Sequence, residues 1–404
     1  MNLELETQNS KLMFIQYLDF SFSETELILF GLFSLVFLHQ IYFYWRYIGG
    51  VLRCRRKTNK GKLSFSNATP PVSVIICARN EEKNLLINLP VILEQNYPDF
   101  EVIVVNDSST DDTEFVLDRF KEKYPHLCTT FVPIGTKNLS TKKLGLTLAI
   151  KAAKYDLLLF TDADCVPADG QWISRMTRNF LTDTEIVLGY GAYKEENTLL
   201  NRLIAYDTLF IGLQYMGMAL AGKPYMGVGR NMAYTKEMFM KQNGFTSSAH
   251  LISGDDDLLV NKASDKHNTR VEVSPESITL SEPNRRYSKW FYQKLRHLSV
   301  SNNYNNKSKL QLVVEPITRG LFYGLFICLL SAGDIVIIGA AALLFIVRLI
   351  VQLLTINKSS KHFGGRKYIT LLPIFDIFLP LLTAYILLMK KPFSEKGKIT
   401  KWEL

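Results

Sequence analysis

YDLLLFTDADC, residues 155–165, begins with a short apolar run from Leu157 to Phe160. It stops on two acids separated by one small residue, Asp162-Ala163-Asp164. An unbroken apolar run of this length, bounded by polar residues, reads as a strand buried on both faces. Two carboxylates at its end do not belong in a core, because unpaired buried charge is costly. The carboxyl end of a buried strand in an open α/β sheet is where ligands sit. Side chains at i and i+2 of an extended chain share a face, so Asp162 and Asp164 can hold one hard cation between them. A divalent cation held by one or two carboxylates plus substrate phosphates is the usual magnesium arrangement. Taken alone, the tripeptide also fits a surface turn after a strand.

The chain upstream repeats the pattern. VSVIIC (Val72–Cys77) is a buried-type strand that breaks into Ala78-Arg79-Asn80-Glu81-Glu82 and a helix rich in Leu and Ile. FEVIVV (Phe100–Val105) is the second, ending in NDSSTDDT (106–113), where Ser108, Ser109 and Thr110 are expected to cap the next helix. Thr129–Pro133 is a weaker third strand, and Ser140–Lys154 a helix. Downstream come a helix at Trp172–Phe180 and strands at Glu185–Gly189, Thr269–Val273 and Ile278–Leu280. This alternation predicts a mostly parallel, Rossmann-like α/β sheet with right-handed crossovers. Three polar stations then share the ligand-binding edge: residues 79–82, Asp107, and Asp162 with Asp164. No GxGxxG follows the first strand and no GxxxxGK[ST] occurs, which disfavours a dinucleotide fold and excludes a P-loop. Asp107 can hydrogen-bond a base or ribose, which places a cation further along on a diphosphate.

SGDDDLL (253–259) sets Asp255, Asp256 and Asp257 at the mouth of an apolar helix. One acid suits the helix dipole as a cap. Three exceed that need, and their repulsion raises the pKa of at least one, as a proton acceptor requires. The glycines of MGVGRNMAY (226–234) allow the backbone close to a ligand. Gln293 and Arg296 share a helix face in a stretch that reads as an interfacial helix and is open to a ligand role.

Across 404 residues, 47 Lys+Arg against 38 Asp+Glu give a net charge of +9, which suits phosphate ligands or an anionic membrane surface. No basic run is interleaved with a nucleic-acid module, so no nucleic-acid partner is expected. Five cysteines without a CxxC pair indicate reduced thiols. The boundaries expected are an external segment at 1–26, a transmembrane helix at 27–47, a basic linker at 48–70, the sheet domain at 71–284, an interfacial region at 285–315, membrane segments at 316–390 and a tail at 391–404. Arginines and lysines after residue 46 place the sheet domain in the cytoplasm by the positive-inside rule. Leu199–Ala221 is long enough to span, but a span would separate Asp162 from Asp255–Asp257, so it is read as packed against the domain or lying at the interface. Positive-inside also conflicts with a full span at Tyr368–Met389, which is therefore expected either to dip in and return or to be a third span with an external C-terminus.

In this order and spacing, the motifs resemble family 2 glycosyltransferases with a GT-A fold, in the membrane-embedded branch related to cellulose, chitin and hyaluronan synthases. The likeness covers residues 70–300 and the flanking membrane layout. It implies a nucleotide-diphosphate sugar donor, a UDP-sugar first, bound through Ala78, Arg79, Asn80, Glu82, Asp107, Lys142, Asp162, Gln293 and Arg296. It implies Mg2+ or Mn2+ on Asp164 and Asp162, and an acceptor side at Gly229 and Asn231. SGDDDLL stands in place of the (E/D)D pair, which makes Asp256 the general base, with Asp255 second. TKKLGLTLAI is similar to GKxxALN, with Gly145 for its alanine and Thr147 for its asparagine. Gln293 to His297 is similar to QxxRW with His297 for tryptophan, a departure that weighs against processive synthesis. The implied activity is inverting transfer to a glycan or lipid acceptor at the cytoplasmic face of the inner membrane. A processive polysaccharide synthase and a non-catalytic nucleotide-sugar-binding membrane protein are the alternatives.

Overall fold

The computed structural model describes residues 22–133, 140–249, 251, 253–332 and 334–388. The expected external segment before residue 22, Gly333 of the hairpin turn and the basic tail from residue 389 lie outside them. The chain forms two compact units, one from Met1–Ile41 and Glu315–Ile350, the other from Tyr42–Val314 and Val351–Leu404.

In the larger unit, β1 (Val72–Ala78), β2 (Phe100–Asn106), β3 (Leu127–Phe131) and β4 (Leu157–Asp162) are parallel neighbours in the order β3-β2-β1-β4. Every residue of β1 except Cys77 is buried, as its continuous apolar sequence requires. The sheet then turns mixed. β8 (Met232–Thr235) runs antiparallel to β4, β6 (Ile186–Leu188) antiparallel to β8, and β9 (Thr269–Val271) parallel to β6. A second sheet, β5 (Cys165–Pro167), β10 (Thr279–Ser281) and β7 (Gly191–Tyr193), was not expected in full, because three-residue strands carry no readable period.

Among the helices, α1 (Glu24–Phe43) continues through one π turn at Tyr44–Ile48 into α2 (Gly50–Asn59). The expected linker therefore starts as a helix. The crossovers are α3 (Glu82–Leu93), α4 (Thr113–Lys123) and α5 (Thr141–Ala152). With α6 (Trp172–Thr177), α3 and α4 close a core in which Val74, Ile76, Val104, Leu159 and Trp172 are fully buried. The expected caps on α4 are a correction: Asp112 precedes it without a side-chain hydrogen bond, because Ser109 and Thr110 bond elsewhere.

α7 (Leu199–Leu220) packs on α2, β7 and β9, and most of its apolar stretch is buried. Gly217 makes that approach possible, since a Cβ there would lie 1.9 Å from the Tyr47 carbonyl oxygen. The remaining helices are α8 (Lys236–Lys241), α9 (Asp257–Ala263), α10 (Tyr287–Val300), α11 (Asn306–Ala332), α12 (Ile335–His362) and α13 (Leu372–Leu388). Among the described residues, four helices are long and apolar enough to cross a membrane: Glu24–Ile48, Leu199–Leu220, Asn306–Ser331 and Ile335–His362. α13 is one continuous helix with Pro380 inside it.

The smaller unit is a helical bundle. Phe33 stacks on Phe322 at 4.9 Å and Phe326 on Phe345 at 4.6 Å. Arg348 is buried among them, donates to Gln40 Oε1 at 3.0 Å and lies 4.8 Å over the Phe322 ring. Charge survives in such a bundle only with its donors satisfied.

Candidate functional site

Register brings the sheet's polar ends level. Cys77 of β1 pairs with Asp162, the last residue of β4, and Ala78 pairs with Asn106, the last of β2. The two loops beyond β1 and β2 are then latched. Asn80 Oδ1 accepts from the Thr110 N–H at 2.7 Å, and the Asn80 N–H donates to Ser109 Oγ at 3.0 Å. The Glu81 N–H donates to Thr113 Oγ1 at 3.0 Å, and the Glu82 N–H to Asp111 Oδ2 at 3.2 Å. Asn80 holds a φ of 56°, left-handed backbone that Asn tolerates better than most residues. The structure thus gives Asn80, through its side chain, and Glu82, through its backbone N–H, a part in latching the two loops. Ala78, Arg79 and Asp107 remain at the edge.

Asp107 is fully buried, and Oδ2 accepts from Thr141 Oγ1 at 2.8 Å. Its Oδ1 is buried without a hydrogen-bond partner among the described residues. Burial pushes this carboxyl above its ordinary range, against Thr141, Arg79 and Lys142. An orphaned acceptor here suits a donor from a base or ribose.

α5 ties the edge to the acidic loop through two adjacent lysines. Lys142 Nζ lies 3.1 Å from Asp162 Oδ1 and 3.5 Å from Asp255 Oδ2. Burial opposes its charge, but the two carboxylates prevail and raise its pKa. Lys143 Nζ donates to three carbonyls, Ser248 at 2.7 Å, Leu251 at 3.0 Å and Ser253 at 2.8 Å. Gly145 stands where the resembled motif has alanine because a Cβ would lie 3.0 Å from Val105 and 3.1 Å from Val132.

Carboxylate oxygens of Asp162 and Asp164 and the sulfur of Cys165 lie within 4.8 Å of one another. Two hard oxygens fit Mg2+ or Mn2+, and the Cys165 thiol, kept protonated by burial, adds no thiolate to the set. Burial resists ionisation of both acids. Lys142 overrides it at Asp162 and holds that carboxyl low, whereas the Asp162 charge adds to it at Asp164 and pushes that one up.

The three neighbouring acids do three different things. Asp255 pairs with Lys142. Asp256 Oδ2 accepts from the Gly229 N–H at 2.7 Å and Oδ1 from the Asp257 N–H at 2.8 Å. Burial, then the Asp255 charge, push Asp256 up to about 6. Asp257 is buried and accepts from Tyr304 Oη at 2.8 Å; burial and then Asp256 push it up to about 8. A cleft is lined by Lys142, Asp162, Gly229, Asp255 and Asp256.

Gly229 reaches this cleft, but Asn231 does not face it. Asn231 is fully buried, donates to the carbonyls of Tyr190 at 2.8 Å and Ser277 at 2.7 Å, and accepts from Trp172 Nε1 at 3.0 Å. Its amide is engaged inside the fold, behind the acceptor side expected of it. Gln293 donates to Tyr193 Oη at 3.2 Å, and the Tyr193 ring carries the Arg230 guanidinium at 4.7 Å. The charges of Arg230 and Arg296 both reach Asp162. Gln293 therefore acts through Tyr193 and Arg230.

Three neighbours of the site escape the sequence reading, Lys143, Cys165 and Arg230, and Glu81 enters it only within the polar station at residues 79–82. Glu81 carries a carboxyl pushed to about 7, first by burial and with Asp164 and Asp162 adding to it. Arg230 stands inside GVGRNMAY, between Gly229 and Asn231, where its charge is the signal. Lys143 had no signal, since its partners are carbonyls a hundred residues away.

Residues 73–242 match the family model described as glycosyl transferase family 2. Over 239 residues, 56% of this chain and 54% of the relative, the sequence is 26% identical to the probable glycosyltransferase YdaM of Bacillus subtilis. Over 155 residues, 37% of this chain and 36% of the relative, it is 26% identical to the poly-beta-1,6-N-acetyl-D-glucosamine synthase of Staphylococcus aureus. The chain spans about half the length of the first relative and about a third of the second. The mannosyltransferase PcManGT of Pyrobaculum calidifontis, solved with GDP-Man and Mn2+, superposes with a TM-score of 0.58 at 18% identity, over 91% of this chain and 99% of that one. That likeness is one of fold.

Proposed function

We propose that the protein, whose residues 73–242 match the glycosyl transferase family 2 model, moves a sugar from a nucleotide-diphosphate sugar to an acceptor hydroxyl with inversion. The observation that carries this reading is Lys142, whose ammonium contacts both Asp162 and Asp255. It brings the leaving-group end and the proton-accepting end of a single displacement into one cleft.

The acceptor oxygen attacks the anomeric carbon as its bond to the diphosphate breaks. Asp256 takes the hydroxyl proton, and a carboxyl poised near 6 suits a base working near neutrality. The electron pair of the broken bond leaves on the diphosphate. A divalent cation on Asp162 and Asp164, with Cys165 beside them, would neutralise charge on that diphosphate as a Lewis acid. Lys142, Arg230 and Arg296 supply positive charge from the protein. Asp107 and Arg79 face the nucleoside. Gly229 holds Asp256 in place through its N–H.

In this reading α1, α11 and α12 are membrane spans, the sheet unit is cytoplasmic, and the acceptor is a glycan or lipid at the cytoplasmic membrane. Turnover of nucleotide-sugars by the purified protein, read as nucleoside diphosphate release, tests the proposal. Asp256→Asn should abolish transfer and leave donor binding largely intact. Retained turnover in that variant would sink the assignment. The product separates the alternatives: one of fixed length opposes a polysaccharide synthase, and no diphosphate release with any donor would leave a binding protein.

A further inference from the structure

Outside the cleft, positive charge collects between two helices of the larger unit. Arg55, Arg56 and Asn59 of α2 face Lys358 and Lys361 of α12 across an open cavity of about 500 Å³, with Leu52 on its wall. These residues come from segments about three hundred positions apart in sequence. No carboxylate lines the cavity. Glu276, whose charge reaches His362, is engaged by Arg175 at 3.9 Å.

The walls are held rigidly. His362 closes the end of α12 and bonds through Nε2 to the Val273 carbonyl at 2.7 Å, next to Pro275 of the cavity floor. The neighbouring Phe363 ring lies 4.5 Å from that of Tyr190. On the other wall, α2 is anchored where a Cβ on Gly50 would lie 3.0 Å from Gly217 Cα. Arg55, Arg56, Lys358 and Lys361 are exposed, and four like charges gathered on one cavity, with no carboxylate lining it among the described residues, favour an anion there. Two guanidinium forks and two ammonium groups suit phosphate oxygens.

Sequence position narrows the source of that phosphate. Arg55 and Arg56 follow the candidate span Glu24–Ile48 within eight residues, and Lys358 and Lys361 close the candidate span Ile335–His362. Basic pockets at the ends of membrane helices meet anionic head groups, and the apolar Leu52 suits the start of an acyl chain. We propose that this cavity is a phosphate-binding site that takes the head group of an anionic phospholipid. It rests on neither the donor chemistry nor Asp256, so its failure and that of the transferase reading are separable.

The test uses the full chain in neutral detergent, with retained lipid counted by native mass spectrometry. The probes are phosphatidylglycerol, phosphatidylcholine and inorganic phosphate. The wild type should retain phosphatidylglycerol well above phosphatidylcholine. Lys358→Gln/Lys361→Gln and Arg55→Gln/Arg56→Gln should each lower that retention at least about fivefold, at about 1 kcal/mol per charge near a surface. The exposed pair Lys121→Gln/Lys241→Gln should leave it unchanged. Lys358→Arg/Lys361→Arg, which keeps the charge, should retain the lipid and guards against loss through misfolding. Displacement of the lipid by submillimolar inorganic phosphate would uphold a phosphate site and overturn its lipid source. Equal retention in the wild type and both neutralised doubles, or equal loss in the exposed control, would overturn the site.

Discussion

Lys142 Nζ and Asp162 Oδ1 form an ion pair at 3.1 Å, and the same ammonium reaches Asp255 at 3.5 Å. Without a cation, Lys142 balances a carboxylate that metal binding would otherwise balance. Lys142→Gln should therefore make the fold depend on metal. Removing one partner of a half-buried pair is expected to cost about 1–3 kcal/mol, between the exposed and buried cases. The variant's Tm without metal should fall by about 3–8 °C, and Mn2+ should restore more of it than it adds to the wild type. Equal Mn2+ increments in both proteins would contradict this.

Asp256 supplies a pH dependence. Its carboxyl sits at about 6 against an ordinary 3.8, through burial and the Asp255 charge. The ionised form accepts the proton, so kcat/KM should rise with pH and level off above about 6. Stability runs the other way. The folded state keeps this proton to higher pH than the unfolded state, so this group's contribution declines between about pH 4 and 6. A flat pH–rate profile from 5 to 7 would remove Asp256 from the role.

Lys143 positions the acidic loop by donating to the Ser248, Leu251 and Ser253 carbonyls. Lys143→Met should leave donor affinity within about threefold and lower kcat by about 10–100-fold, the scale of a 1 Å misplacement. Hydrogen exchange in the loop preceding α9 should rise in parallel. A purely structural role would lower Tm without that split between kcat and donor binding.

Glu272 is buried and takes both Nε and Nη2 of Arg178, at 2.9 and 3.0 Å, together with Asn179 Nδ2 at 2.7 Å. Glu272→Ala leaves a guanidinium uncompensated, at a cost of about 3–5 kcal/mol. Thermal unfolding should show a Tm lower by about 6–15 °C. A change below about 2 °C would mean that Arg178 finds water instead.

Gln293 acts through Tyr193 and Arg230. Gln293→Leu should therefore raise KM for the donor more than it lowers kcat, and Arg230→Lys should do the same, because an ammonium does not stack on the Tyr193 ring as a guanidinium does. Activity unchanged in both variants would reduce this chain of contacts to packing.

The sequence by itself determined the sheet and where its chemistry lies. Buried parallel strands must be continuously apolar, so β1, β2 and β4 stand out, and the polar residues that end them must sit at one edge. The acids at 162, 164 and 255–257 were legible for the same reason, since nothing but function or pairing keeps carboxylates there. Tertiary structure alone decided how the labour is divided. Asp255, Asp256 and Asp257 are indistinguishable as letters, yet one pairs with Lys142, one is held by Gly229, and one is buried against Tyr304. Asn231 and Asn80 look like ligand contacts in a motif, but their amides satisfy buried backbone and loop groups that only the folded chain brings near. Periodicity reports burial along one element. Long-range hydrogen bonds and facing charges, such as Lys143 with three distant carbonyls or Arg55 across from Lys358, arise where elements meet and leave no trace in local spacing.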